Sequence, residues 1–202
     1  MGTDDSKRRT VDLARAALAV EDFLRAIGAP LESDPELRGS GARVAEAFAN
    51  DLLSGYDADP AQILGEHVAS RADGLVVVSN LSAATLCPHH LLPATGVVHV
   101  GYWPSERVVG LGALGKLVDC FTRRLALQED IAANVADALV AHLSARGSAC
   151  IVDMEPTCMT VRGEKRHAAR ASVTVFRGAV ATDASMREAF LSAVAASTKA
   201  SG

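Results

Sequence analysis

Hydrophobic and polar positions near the start of the chain recur with the spacing of amphipathic helices. Apolar side chains every three to four residues predict a helix over 11–27, which Gly28 ends. A second helix is predicted over 41–53, with Gly55 as a left-handed cap after it. The chain therefore opens with a pair of helices, each with an apolar face that needs a partner.

The middle of the chain changes to short runs rich in β-branched residues. Such runs at 74–86 and 96–103 predict two strands that pair as a hairpin. Two helices, two further strands and a last helix are predicted in order over 111–124, 130–145, 150–154, 171–177 and 185–196. The order helix-helix-ββ-αα-ββ-helix favours an α+β fold around an antiparallel sheet.

No internal repeat or linker interrupts this pattern, which favours a single domain over 11–202. Within it we predict N-terminal helices over 11–56, a core over 72–180 and a C-terminal helix over 185–197. The short, charged segment 1–10 is expected to be disordered.

Composition excludes several classes of function. The chain has 202 residues, of which 49% are hydrophobic, and this is enough for one substantial core. A net charge of -4 and only one Trp, two Tyr and five Phe argue against nucleic acid as a partner. No apolar run approaches the roughly 20 residues that span a bilayer. The polar start and the absence of a disulfide pattern among four cysteines predict a reduced, cytoplasmic protein without a membrane partner.

The residues with the clearest chemistry lie between the first two predicted strands. Cys87 and His90 form a C-x-x-H pair, which brings a thiol and an imidazole within reach of one metal ion. Cys158 offers a second thiol downstream. Three protein ligands with one open position are typical of catalytic zinc rather than structural zinc. The alternative is a pair of ordinary core residues, because Cys and His are often buried for packing alone.

The segments around these residues resemble the GTP cyclohydrolase I family. The family's metal motif C-E-H-H-L-x-P corresponds to C-P-H-H-L-L-P at 87–93, and its C-M-x-x-R-G corresponds to C-M-T-V-R-G at 158–163. The segments G-L-S-K and R-x-Q-x-Q-E are similar to 110–113 and 124–129. The match runs in order from about Arg43 to Leu191. The resemblance implies the tunnelling fold, with an antiparallel ββααββ core after N-terminal helices, and assembly into a ring-shaped homo-oligomer such as a decamer.

The resemblance also implies a reaction, which is the attack of water on C8 of guanine with opening of the imidazole ring. Zn²⁺ would be held by Cys87, His90 and Cys158. His89 would protonate the purine, to which an imidazole is suited near neutral pH, although a supporting role beside the metal remains open for it. Glu129 would bind the guanine edge, with Gln128 assisting, and the alternative for Glu129 is a solvated residue at a helix start.

Two departures concern the proton-transferring residues. The family has a histidine two residues before the last zinc cysteine, and this chain has Pro156, which has no proton to give. Ring opening could survive this change, whereas the later loss of formate and ring rebuilding could not. Glu155 is a possible substitute. Pro88 replaces the glutamate of the metal motif and removes a partner for the ligands.

The departures in the phosphate site are more numerous. Arg43 and Arg162 match two family arginines, Leu111 keeps its place, and Lys116 replaces an arginine. However, Glu46 stands where the family has a lysine. Gly112 and Ala113 replace a serine and a second lysine. Because a triphosphate needs compensating positive charge, these changes favour a substrate with fewer phosphates.

We therefore expect a zinc hydrolase that acts on a guanine-like nucleobase, nucleoside or low-phosphate nucleotide. One alternative is an authentic GTP cyclohydrolase I that makes 7,8-dihydroneopterin triphosphate for folate or pterin synthesis, with the retained cations sufficient for GTP. The other is a catalytically silent, purine-binding paralogue.

Overall fold

The computed structural model describes residues 9–69 and 74–199. The helices are α1 (Leu13–Ala26), α2 (Ser40–Ala47), α3 (Pro60–Gly65), α4 (Leu111–Thr122), α5 (Gln128–Leu143), α6 (Thr157–Thr160) and α7 (Ala184–Lys199). The strands are β1 (His67–Ala69), β2 (Val76–Leu86), β3 (Pro93–Trp103), β4 (Arg107–Val109), β5 (Gly147–Pro156) and β6 (Ala171–Gly178). The predicted α+β class with an antiparallel ββααββ core is confirmed.

The centre of the fold is a four-stranded antiparallel sheet in the order β2-β3-β5-β6. Helices α4 and α5 pack on one face, where Val98, Tyr102 and Met154 contribute fully buried side chains. On the opposite face, α7 covers the end of the sheet near Trp103 and inserts Phe190. The sheet therefore has helices on both faces, although α7 covers only part of its side.

The N-terminal helices lie where the sequence predicts them, but their ends differ from expectation. The second helix changes at Phe48–Leu52 to a wider turn and is followed by a short helical turn at Ser54–Asp57. Gly55 lies inside that turn without a positive φ, so its prediction as a left-handed cap is wrong. A Cβ at Gly55 would come within 2.6 Å of the Cys120 carbonyl oxygen, so close packing is what requires glycine there.

The start of the described chain overlaps the segment 1–10, which was expected to be disordered. Residues 1–8 of that segment lie outside the described part. Arg9 belongs to it and donates hydrogen bonds to Ala49 O at 2.7 Å and to Asp57 at 3.1 Å. Within residues 9–69 and 74–199, no helix is long and apolar enough to cross a membrane.

A β-bulge interrupts the pairing of β2 with β3. Ser79 and Asn80 of β2 stand opposite His99 alone, and Asn80 has a φ of 59°. A bulge leaves the extra residue without its usual partner in the ladder. The Asn80 backbone N–H instead donates to Nδ1 of His99 at 3.3 Å. His99 is buried and supports the bulge.

Burial lowers the pKa of His99 below its ordinary 6.5, although the charge of Asp153 opposes the shift. As the pH falls, the unfolded chain binds this proton before the folded chain does. The contribution of neutral His99 to the unfolding free energy should therefore be fully present above about pH 6.5 and decrease as the pH falls towards the folded pKa. His99→Gln removes the titration and retains an acceptor, so its unfolding free energy should depend less on pH in this window. Urea unfolding at several pH values measures the unfolding free energy of both proteins. If this free energy changes equally with pH in the parent and in His99→Gln, the prediction is contradicted.

Candidate active site

The turn between β2 and β3 carries the C-P-H-H-L-L-P motif. The Cys87 N–H donates to the Leu92 carbonyl at 2.9 Å, and the Leu91 N–H donates to the Cys87 carbonyl at 2.8 Å. Leu91 closes this turn with a φ of 55°, a conformation that costs a residue with a Cβ about 1 kcal/mol. The closed turn fixes the position of Cys87 directly after β2, next to the buried Thr85 and Leu86.

The second wall of the site comes from the end of β5 and the one-turn helix α6, which carries Cys158. The Thr157 hydroxyl donates to the Pro93 carbonyl at the start of β3. This hydrogen bond joins α6 to the strand that follows the motif turn. It therefore holds the two thiols, Cys87 and Cys158, on neighbouring elements.

The third wall is the N-terminal turn of α5. The Ala126 N–H donates to the Leu86 carbonyl at 3.1 Å, and the Thr85 hydroxyl donates to the Arg124 carbonyl at 3.2 Å. These bonds tie the segment before α5 to the end of β2. As a result, Gln128 and Glu129 in the first turn of α5 lie beside the motif turn.

The three walls enclose a cavity of about 210 Å³. Five residues singled out from the sequence line it, namely Cys87, His89, Gln128, Glu129 and Cys158. Apolar side chains such as Leu92, Leu127 and Met159 form the remainder of the lining, with Pro156. An apolar cavity with a few polar groups is typical of a small-molecule site.

The donor chemistry of the site suits zinc, because two thiols and an imidazole face one cavity. His89 Nδ1 lies 3.7 Å from Cys87 Sγ. His90 does not line the cavity, and its Nε2 lies 2.8 Å from NH1 of Arg162. Among residues 9–69 and 74–199, no three His, Cys, Asp or Glu side chains stand close enough together to hold a metal ion. The side chains present are thus of the types that bind zinc. To bind the same ion as the two thiols, His90 would have to leave its contact with Arg162.

Gln128 has a feature that sequence reasoning did not reveal. Its Oε1 is buried and has no hydrogen-bond partner in the structure. A buried acceptor without a partner is costly, and at the wall of a cavity it can accept from a ligand. Its position beside Glu129 is the one signal in the sequence that points to it.

Four residues predicted for substrate binding, including Arg162, do not line this cavity within one chain. Arg43 donates to Arg38 O, Glu36 O and Ser40 Oγ and thereby closes the loop before α2. Leu111 and Lys116 lie exposed on α4, away from the cavity lining. Of the predicted cations, only Arg162 contacts a residue of the motif turn.

The two prolines that depart from the family pattern occupy different environments. Pro156 is buried at the end of β5, pairs with Ala94 of β3 and lines the cavity. Pro88 is exposed in the motif turn and does not line it. The cavity wall therefore lacks a proton donor at 156, and Glu155 next to it is not among the lining residues.

Thiols, an imidazole and a carboxylate around one cavity are side chains that can support hydrolytic chemistry. The family profile described as GTP cyclohydrolase I matches residues 16–195. The chain belongs to the GTP cyclohydrolase I family, and this membership supports a cyclohydrolase type of activity.

Individual relatives agree with this assignment. The chain is 38% identical over 187 residues to GTP cyclohydrolase 1 of Chromobacterium violaceum, covering 92% of this chain and 90% of that protein. It is 36% identical to the Ralstonia nicotianae protein of the same name, covering 92% and 88%, and 37% identical to one from Bifidobacterium longum, covering 91% and 92%. A crystal structure of an archaeosine synthase QueF-like protein overlaps 55% of this chain and 98% of that one at 19% identity, but a TM-score of 0.43 is too low to support an argument.

Proposed function

We propose that the chain is a zinc-dependent hydrolase that opens the imidazole ring of a guanine-type purine by attack of water at C8. Its substrate carries fewer phosphates than GTP. The observation that carries the proposal is the single cavity lined by two thiols, an imidazole and the Gln128–Glu129 pair. Family membership supports the reaction type.

Cys87, His90 and Cys158 would hold the zinc ion, which when bound supplies Lewis-acid activation of water. His89 is the proton donor to the purine. Its Nδ1 faces the Cys87 sulfur at 3.7 Å, which leaves Nε2 as the nitrogen that can exchange a proton with the substrate.

Glu129 and Gln128 recognise the purine edge. A carboxylate accepts hydrogen bonds from both a ring N–H and an exocyclic amine, which guanine presents side by side. The buried, unpaired Oε1 of Gln128 offers a further acceptor beside it. The pair therefore favours guanine over purines that lack these donors, because such purines leave the buried Gln128 acceptor without a partner and make no bond to the Glu129 carboxylate, which is exposed in the single chain.

The preference for few phosphates is supported by charge. Arg43 is engaged by the loop before α2, and Lys116 does not line the cavity. Arg162 is the predicted cation that contacts the motif turn. One guanidinium can pair with a monophosphate but compensates a triphosphate poorly.

A second candidate is GTP cyclohydrolase I activity itself, with 7,8-dihydroneopterin triphosphate as the product. The observation that favours it is 36–38% identity to proteins of that name over about nine tenths of the chain. To separate the two, the zinc-loaded protein is incubated with guanine, guanosine, GMP and GTP, and each mixture is followed by mass spectrometry. A ring-opened product from a low-phosphate purine supports the first proposal, and a neopterin product from GTP supports the second. No conversion of any of them, with zinc bound, contradicts both and favours a purine-binding paralogue.

We further propose that the chain is cytoplasmic and works as a homo-oligomeric ring. Four free cysteines support a reducing compartment. Exposed apolar side chains on and just after α1, among them Leu18, Phe23 and Ile27, support a contact between copies. The mass of the native protein in solution tests the assembly.

Glu129→Gln should weaken binding of the preferred purine by about 2 kcal/mol, a rise in KM of about 30-fold, because an amide donor would face the purine amine. Steady-state kinetics measures this. Asp130→Asn is the matched control, since Asp130 is exposed in the same turn of α5 and does not line the cavity. Equal KM values for the parent and Glu129→Gln would return Glu129 to the role of a solvated residue at a helix start.

A further inference from the structure

We propose that Arg162 controls whether His90 can bind the metal, so that an anion bound to Arg162 and a metal ion bound at the thiols strengthen each other. This inference rests on the zinc site proposed above. It assigns to Arg162 a positioning role that is separate from charge compensation alone.

The geometry of the pair carries the first step. NH1 of Arg162 lies 2.8 Å from Nε2 of His90. A guanidinium can only donate, so Nε2 accepts with its in-plane lone pair. A neutral imidazole has one such lone pair, and its other nitrogen then carries the ring proton. Neither nitrogen of His90 is available to a metal ion while this contact lasts.

The second step concerns the other donors. Cys87 and Cys158 already line one cavity, whereas His90 is turned towards Arg162 outside it. Completing a set of three ligands therefore requires the Arg162 contact to break. Both partners are exposed, so the contact is weak enough to exchange. Arg162 lies in a turn outside the helices and strands, directly before Gly163, whose φ is 60°.

The third step identifies what can take Arg162 away. The guanidinium fork pairs with both oxygens of a phosphate or sulfate, which is stronger than a single bond to a neutral imidazole. An anionic group of a substrate would thus release His90 at the moment it enters the site. By linkage, a metal ion that binds His90 frees Arg162 for the anion by the same factor.

Zinc affinity, measured by competition with a chromophoric chelator, tests the proposal without reference to activity. Arg162→Ala should bind zinc about tenfold more tightly than the parent, which corresponds to about 1.4 kcal/mol. Arg166→Ala is the matched control, because Arg166 is an exposed arginine of the same segment that pairs with Glu164 at 3.5 Å and not with His90. It should leave zinc affinity unchanged. His90→Ala defines binding without the imidazole.

A second measurement tests the coupling. Replacing chloride by sulfate at constant ionic strength should tighten zinc binding several-fold in the parent and leave Arg162→Ala unaffected. Weak association of sulfate with zinc itself is common to all variants and cancels in the comparison.

The outcomes separate the two proposals. If the parent binds zinc through His90 but Arg162→Ala binds it no more tightly, or if sulfate acts equally on both, the role of Arg162 is wrong and the zinc site stands. If the parent binds zinc no better than His90→Ala, His90 is not a ligand, and the zinc site and this inference fail together.

Discussion

Cys158→Ala should abolish stable zinc binding and lower hydrolysis of the preferred purine by about 10³-fold or more. The thiol lines the cavity opposite the motif turn, and its loss leaves Cys87 and His90 as too few ligands for a catalytic zinc. Activation of water by a metal is worth several kcal/mol, and each 1.36 kcal/mol changes a rate by about tenfold. Elemental analysis after mild chelation and steady-state kinetics measure the two effects.

Cys150→Ala is the control for this prediction. Cys150 is fully buried in β5, does not line the cavity, and has a thiol pKa that burial raises. Its replacement should lower stability by about 1 kcal/mol through a small cavity while zinc content stays at the parental level. Equal zinc content in the parent and Cys158→Ala would remove Cys158 from the ligand set.

With GTP as substrate, the protein should turn over poorly and stop at a ring-opened formamide. Ring opening requires only activated water and His89, whereas the later steps require a second acid, and position 156 is a buried proline in the cavity wall. Pro156→His should restore the later steps, and mass spectrometry of the products would detect them. Pro156→Ala is the matched control, since it removes the proline ring without adding a proton donor.

Charge restoration tests the substrate preference separately. Glu46 and Ala113 lie outside the cavity of their own chain, so a lysine at either position can reach a bound triphosphate only from a neighbouring copy in the proposed ring. In that assembly, Glu46→Lys with Ala113→Lys should tighten triphosphate binding by about 1 to 3 kcal/mol for each charge-assisted contact regained. Binding of GMP should change less, because it has fewer charges to compensate. If the unmodified protein converts GTP into dihydroneopterin triphosphate at about 1 per second, the preference for few phosphates is wrong and the second candidate is right.

The sequence predicted those parts of the fold that depend on periodicity. The helical spacing of apolar residues located α5. Short runs of β-branched residues located the β2–β3 hairpin, with the metal motif in its connecting turn. The three-residue strands β1 and β4 escaped prediction, because His67–Ala69 and Arg107–Val109 are too short to show an alternation. The helix predicted over 130–145 instead runs from Gln128 to Leu143, where Ser144 ends it with a φ of 55°.

Parts of the candidate site depended on contacts between distant residues and could not be predicted. Arg124 was noted only as part of a motif, yet it packs over Tyr56 and Phe121 and donates to the Gly55 carbonyl at 3.1 Å. The Arg162–His90 contact joins residues 72 positions apart. No local pattern in the chain encodes such a pair, because it forms only when β5 has paired with β3.

The bulge at Ser79 and Asn80 limits how a strand from another molecule can pair with the edge of the sheet. Strand β2 lies at an edge of the four-stranded sheet, and the bulge divides it into a run before Ser79 and a run after Asn80. A strand from another copy could pair with this edge. It would find the hydrogen-bonding groups of β2 in two short runs whose registers differ by one residue. A one-residue slip would break its pairing with both runs. The interruption therefore admits a partner strand in one alignment and protects the exposed edge from indiscriminate aggregation.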